Sequence, residues 1–343
     1  MAAHGEQNGS LQRLECVPVN ECGDFTAKLL HALKTLKSVD IESCKSLEEV
    51  FELGEADEGS SEEKELPLLS SLTELHLSFL PELKCIWKGP TRHVSLQNLF
   101  YLELLSLNKL TFIFTPSLAR SLPKLKRLYI SKCGQLKHII REEDGDRDII
   151  PESPRFPKLK TLRISQCGKL KYVFPVSMSL TLQSLPQLET LEIRDCFELE
   201  HIIKEEDGER EIIPESPGFL KLKTLYISHC GKLEYVFPVS VSLTIQSLPQ
   251  LQTLETRDCR ELEHIIREKD GENNCHKMVT VLPNLQELSL KQLPSIFRFS
   301  QGCFEFLFPR LEKLKVYECR KLTTKFAITP DRLMSAQSEV LLI

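Results

Sequence analysis

Long apolar runs are missing from this sequence. No stretch approaches the roughly 18 consecutive apolar residues that mark a membrane-crossing helix, so no such span is expected. A basic surplus is missing as well. Lys plus Arg number 44 against 49 Asp plus Glu, a formal net charge of -5, whereas nucleic-acid binding favours a basic face. Neither nucleic acid nor membrane is an expected partner. The opening MAAHGEQNGS has no basic n-region and no apolar h-region, so no secretory signal is read there. No G-x-x-x-x-G-K-[ST] occurs, so nothing is expected to cradle a nucleotide phosphate, and no cofactor is expected. What remains is a foldable balance of 41% apolar and 27% charged residues. The 343 residues suffice for two ordinary domains or one elongated array.

Twelve cysteines would suggest a disulfide framework in a small secreted protein. Their placement argues otherwise. Cys44, Cys133, Cys167, Cys196, Cys230, Cys259 and Cys319 occupy the same place in a recurring motif. Equivalent stacked thiols read as a buried ladder, and the simpler expectation is a reduced chain in the cytoplasm.

The motif is L-x-x-L-x-(L/I/V)-x-x-(C/L)-x-x-L-x-x-(I/V). Leu125, Leu128, Ile130, Cys133, Leu136 and Ile139 fit it, as do Leu159, Leu162, Ile164, Cys167, Leu170 and Val173. Outer units substitute Leu for Cys, as Leu80 does among Leu72, Leu75, Leu77, Leu83 and Ile86. The count is about ten units, well above the three or so that a stacked array needs. Leu11 and Leu14 suggest a degenerate first unit inside an N-terminal segment, 1–28; the repeats are read over 29–326, with a tail at 327–343.

The short L-x-L stretch alternates, so Leu128 and Ile130 face one side while Arg127, Tyr129 and Ser131 face the other. One such strand cannot bury its apolar face alone. Stacked units pair their strands in parallel and enclose one continuous core. Each buried apolar side chain contributes roughly 1.5–3 kcal/mol, largely offset by chain entropy. The Cys follows the strand, where the chain turns and a small side chain fits inside the bend. The expected fold is an α/β leucine-rich-repeat solenoid: a curved parallel sheet on the concave face, with irregular or short helical return segments and long loops on the convex side. Residues 159–203 and 222–266 are near-identical at an offset of 63, as Leu159 and Leu222 mark, which reads as duplication of a two-unit block.

The segments LKSVDIESCKSLEEVFEL and FPKLKTLRISQCGKLKYVFP carry a resemblance. They are similar to the C-terminal repeats of plant coiled-coil, nucleotide-binding, leucine-rich-repeat disease-resistance proteins. The resemblance covers most of the chain. It implies a cytoplasmic sensor region that restrains a nucleotide-binding switch domain and recognises a pathogen effector or a guarded host protein. The family's nucleotide site is not carried over, because its phosphate-binding motif has no counterpart here.

By the alternation, the concave face carries three residues per strand, from Ser38, Asp40 and Glu42 in the first unit to Lys313, Lys315 and Tyr317 in the last. Ser228 and Ser289 fall on it too. The candidate partner contacts are Arg127, Tyr129, Arg163, Glu192, Arg194, Tyr226, Glu255, Arg257, Lys291, Lys315 and Tyr317. Tyr and Arg dominate protein–protein hot spots; a solvated strand face is the plainer reading of the same pattern. Between the duplicated blocks Arg163 becomes Tyr226 and Gln166 becomes His229, as a diversifying face would show, while Ile193 becomes Thr256 in the core, as drift would show. The acidic stretch 52–65 has the charge to dock a basic patch on a partner; the plainer reading is a solvated loop.

Three other chemistries were weighed. His138, His201 and His264 each follow a motif Cys by five residues, a pairing that invites zinc or a thiol nucleophile. Catalytic constellations are usually single, however, and these Cys point inward. Asp144, Asp146 and Asp148 lack the order of a calcium loop. No pair of carboxylates is marked for acid–base work. The expectation is therefore a non-enzymatic protein binder with no metal and no small-molecule substrate. The alternative is a stand-alone repeat adaptor, such as the substrate-recognition half of a ubiquitin ligase. That reading wants an F-box-like helical stretch before the repeats, for which 1–24 is short.

Overall fold

The computed structural model describes residues 36–52, 68–89, 94–120, 122–141, 156–175, 185–204, 219–237, 248–267, 279–300, 305–329 and 332–335. The first-unit candidate at Leu11 and Leu14, most of the acidic stretch 52–65 and the Asp144–Asp148 run lie outside them.

The L-x-L stretches form one ten-stranded parallel sheet whose spatial order is the chain order. Its strands are Ser38–Glu42, Glu74–Ser78, Tyr101–Leu105, Arg127–Ser131, Thr161–Ser165, Thr190–Arg194, Thr224–Ser228, Thr253–Arg257, Glu287–Lys291 and Lys313–Tyr317. Second and fourth residues point inward, so Leu128 and Ile130, Leu162 and Ile164, and Leu191 and Ile193 are buried. Register is residue for residue. Leu128 pairs with Leu162 and Leu162 with Leu191, so each apolar column runs unbroken into the next unit. A slip by one residue would turn every inward side chain out.

The chain leaves each of these strands through a residue in the left-handed region. Ser43, Phe79, Ser106, Lys132, Gln166, Asp195, His229, Asp258, Gln292 and Glu318 have φ between 52° and 60°, and none is glycine. Each such residue costs about 1–2 kcal/mol. The conformation persists because it aims the amide along the array. The first nine donate to the last carbonyl of the following strand, as Lys132 does to Ser165 at 3.0 Å and Gln166 to Arg194 at 2.9 Å.

Next comes the C-x-x-L spacing, which is a turn. The Leu136 amide donates to the Cys133 carbonyl at 3.1 Å, and Leu199 to Cys196 at 3.1 Å. The thiol sits inside this bend. Cys167, Cys196, Cys230 and Cys259 donate to the carbonyl two residues back at 3.3–3.4 Å. These thiols are buried, and all described cysteines are free. Contact with neighbouring thiols and burial push Cys167 and Cys230 well up, which keeps those two neutral, while the same contacts push their partners Cys133 and Cys259 down. Neutral thiols are poor nucleophiles.

Beyond that turn the return limb carries a second short strand, among them Phe112–Phe114, His138–Ile140, Tyr172–Phe174, His201–Ile203, Tyr235–Phe237 and His264–Ile266. Aromatic and β-branched runs such as Y-V-F and H-I-I suit extended backbone. These strands pair in small groups. Tyr172–Phe174 pairs with His201–Ile203, and Tyr235–Phe237 with His264–Ile266. Each pair lies within one of the duplicated blocks, so the duplicated unit is also a hydrogen-bonded unit. The front sheet is continuous while the return strands break between blocks. In a leucine-rich-repeat solenoid the continuous sheet lines the concave side. Among the described residues one short helix, Pro116–Arg120, lies on the return side. Proline suits a first helical position, and Thr115 caps the helix by accepting from the Leu118 amide.

A second turn feeds every front strand after the first. In L/F-P-x-L the last amide donates to the first carbonyl, as Leu159 to Phe156 at 3.1 Å and Leu188 to Leu185 at 3.2 Å. Proline occupies the second position, where its fixed φ fits. Phe rings fill the space between front and return limbs, with Phe114 6.4 Å from Phe156 and Phe219 6.0 Å from Phe237. Past the last unit, Lys325–Thr329 pairs antiparallel with Arg332–Ser335, so strand structure continues into the stretch read from sequence as a tail.

Thr256 interrupts the core. It is fully buried between Ile227 and Leu290 in register, and its hydroxyl has no hydrogen-bond partner. A buried unsatisfied hydroxyl costs about 1–3 kcal/mol. Thr256→Val keeps the shape and removes the penalty. Its urea midpoint should rise by an amount equivalent to roughly 1 kcal/mol or more; an unchanged midpoint would mean that the hydroxyl is satisfied in solution.

Candidate functional site

First, third and fifth residues of the front strands point away from the core. The central row runs Asp40, His76, Glu103, Tyr129, Arg163, Glu192, Tyr226, Glu255, Ser289 and Lys315. Neighbours in this row come from units 26 to 36 residues apart in sequence, such as Glu103 to Tyr129 and Asp40 to His76. Only the parallel register brings them together.

Five of the candidate contacts form one cluster. Arg163 lies over the Tyr129 ring, 5.4 Å from its centroid, and its Nε donates to Glu192 at 2.9 Å. Glu192 also pairs with Arg194, and Arg194 lies over Tyr226 at 4.3 Å. Two rings and a carboxylate thus hold two guanidinium groups in fixed orientations. Glu255 and Lys291 form a separate pair at 2.9 Å. Arg257 turns to the rim and pairs with Asp258 at 2.8 Å. Arg127, Lys315 and Tyr317 stand apart and exposed, Tyr317 at 60%.

Two face residues read as exposed are buried. Ser228 lies between Arg194 and Arg257 in register, and Ser289 between Glu255 and Lys315. Both are short side chains shaded by long neighbours.

A second cluster went unmarked in the sequence. The His76 and Tyr101 rings stack at 4.8 Å, and Tyr101 meets Tyr129 edge-on at 5.5 Å. Tyr101 Oη donates to Glu103 at 3.0 Å, and His76 Nδ1 lies 3.2 Å from the same oxygen. Burial first, then the Glu103 carboxylate, pushes the Tyr101 phenol from its ordinary value near 10 up to about 12. The residues that sequence reasoning could have used are all in the L-x-L triplets; what it lacked was their neighbours across the register. Phe197 was also missed. It is 59% exposed, and the C-x-x-L turns of the units on either side carry glycines, Gly168 and Gly231, at its place. On the neighbouring turns, His229 bridges Asp195 at 3.4 Å and Asp258 at 3.2 Å.

His138 and His201 belong to the return strands, where they pack against Tyr172 and Tyr235 at 5.2 and 5.3 Å. Burial pushes His264 down. Among the described residues no three His, Cys, Asp or Glu side chains form a group that could hold a metal.

A family model described as plant disease resistance protein RPS2-like, leucine-rich repeats, matches residues 2–134, 135–197 and 198–336. The chain belongs to this family. The middle match, 135–197, spans 63 residues, the length of the internal duplication. Curated proteins give no match to the chain. Leucine-rich repeats are protein-interaction modules, normally without catalysis, and the family ties these repeats to plant disease resistance. Among the described residues no helix is long and apolar enough to cross a membrane.

The Tyr101 environment is directly measurable. Its folded value lies above the unfolded one, so its contribution to stability is complete below pH about 10 and is lost as pH rises toward about 12. Subtracting the phenolate absorbance titration of Tyr101→Phe from that of the native chain should isolate a transition near 12. Glu103→Gln should bring it part of the way down. A Tyr101 transition at its ordinary value would show that the carboxylate contact does not form.

Proposed function

We propose that this chain is the non-enzymatic recognition region of a plant intracellular immune receptor, and that the concave sheet face contacts a pathogen effector or a guarded host protein. The observation that carries the reading is the cluster of Tyr129, Arg163, Glu192, Arg194 and Tyr226 on an unbroken sheet. Aromatic rings and guanidinium groups are the side chains that dominate hot spots. Here they are pre-oriented by one another, which lowers the ordering entropy of binding.

The face has the right size. Ten strands about 4.8 Å apart and five residues long present roughly 43 by 16 Å, close to 700 Å². One side of a standard protein–protein interface is about 800 Å². In this reading specificity comes from contact alone, with no cofactor and no small-molecule substrate. The chain works in the cytoplasm, where its core thiols stay reduced. A nucleotide-binding switch domain is the partner that would turn recognition into a signal.

The test replaces Arg127, Tyr129, Tyr226 and Tyr317 together with Ala. The tagged chain and this variant are used to capture proteins from pathogen-challenged and unchallenged leaf extract, with identification by mass spectrometry. A protein held by the native chain should be lost, by tenfold or more, from the variant, whose circular dichroism and melting are preserved. Undiminished capture by a folded variant would place recognition elsewhere than on the concave face.

A further inference from the structure

The concave face changes character along its length. Downstream, its carboxylates are neutralised by the chain itself: Glu192 by Arg163 and Arg194, Glu255 by Lys291, Glu287 by Lys313. Around Glu192 a tyrosine ring completes the seat of each cation, Tyr129 under Arg163 and Tyr226 under Arg194. The recurring unit is therefore a cation held between an aromatic face and a carboxylate.

On the first strands the same parts occur without their cation. Tyr101 supplies the ring, with His76 stacked on it and Tyr129 against its edge. Glu103 and Glu74 supply the carboxylates. Among the described residues neither pairs with Lys or Arg; both meet His76, Glu103 at 3.2 Å and Glu74 at 3.8 Å, and Glu103 also accepts from Tyr101. Both side chains stay about two-fifths exposed, 41% and 40%, against 19% for Glu192. Arg127, next to Tyr101 in register, makes no ion pair among the described residues.

We propose that Tyr101, Glu103 and Glu74 form a seat for an arginine or lysine side chain of the bound protein, so that a basic segment of the partner docks at this end of the face. The guest repeats the contact that Arg163 and Arg194 make internally: a cation over a tyrosine ring, which is attractive through the ring quadrupole, with a charge-assisted hydrogen bond to a carboxylate. Tyr101 Oη and His76 Nδ1 both hold Glu103 Oε2, so the acceptor is positioned before the guest arrives. The proposal rests on the concave-face reading and adds the chemistry and location of one contact.

The probe is a fluorescein-labelled Gly/Arg peptide, with a Gly/Glu peptide of the same length as its control. Binding to the full chain is followed by anisotropy at physiological salt. Glu103→Gln should weaken the arginine peptide several-fold, as should Tyr101→Leu, and the double variant should weaken it about tenfold or more. Glu198→Gln removes one charge on the flank and should change nothing, and the Gly/Glu peptide should not bind. Melting curves establish that each variant is folded; Tyr101→Phe keeps the ring face and should retain most of the binding that Tyr101→Leu loses. Equal weakening by Glu103→Gln and Glu198→Gln would mean non-specific charge attraction and overturn the seat. So would an arginine peptide indifferent to Glu103. Either result leaves the capture experiment with the Arg127, Tyr129, Tyr226 and Tyr317 variant untouched, so failure of the seat and failure of the recognition face are separable.

Discussion

Everything in this molecule depends on the register of ten parallel strands. Inward Leu and Ile side chains stack unit on unit, and a slip by one residue would expose all of them. Hydrogen bonds reinforce the packing from outside the strands. At every exit the chain accepts a left-handed residue that is not glycine, and at all but the last the amide so aimed reaches the following strand's end. A local strain is thus maintained by a contact between neighbours, which is how a linear array acquires cooperativity from nearest-neighbour interactions.

Register also makes the face. Arg163, Glu192 and Arg194 meet because two consecutive strands begin in step, and Tyr129 and Tyr226 flank them from the strands on either side for the same reason. Core and face are therefore separately variable. Replacement of an outward residue in one unit alters the surface without disturbing the stack, as Arg163 and its duplicate Tyr226 illustrate. The converse change, Ile193 to its duplicate Thr256, leaves a buried hydroxyl without a partner. A recognition surface that diversifies while its scaffold persists is what disease-resistance repeats need.

Much of this was legible in the sequence because the signal is periodic. Leu128 and Ile130 declare a strand by alternation, Cys133 declares the bend, and repetition of the motif declares the parallel sheet. The 63-residue offset anticipated a block that proves to be a hydrogen-bonded pair of return strands. Other features were harder to read. The return strands rest on three-residue runs such as H-I-I, too short for alternation to identify. The L/F-P-x-L turns were present as a spacing but carry their meaning only once the proline's place in a turn is seen. Pairings on the face, His76 with Tyr101 or Arg194 with Tyr226, join residues far apart in the chain, and side-chain length decides who covers whom. Ser228 and Ser289 were assigned to the correct side of the sheet and still proved buried, because alternation gives direction and says nothing of shade.

The separation of scaffold from surface is tested most directly by an alanine scan of one strand, Thr190–Arg194, read twice: by urea unfolding and by capture of the partner protein. Leu191→Ala and Ile193→Ala should lower stability by about 2–5 kcal/mol while the folded fraction still binds. Glu192→Ala and Arg194→Ala should weaken capture with little change in stability. A strict period of two in opposite senses is the predicted result. If both classes move the same quantity, or if the outward residues affect neither, the front sheet is a structural element only and recognition lies on another surface.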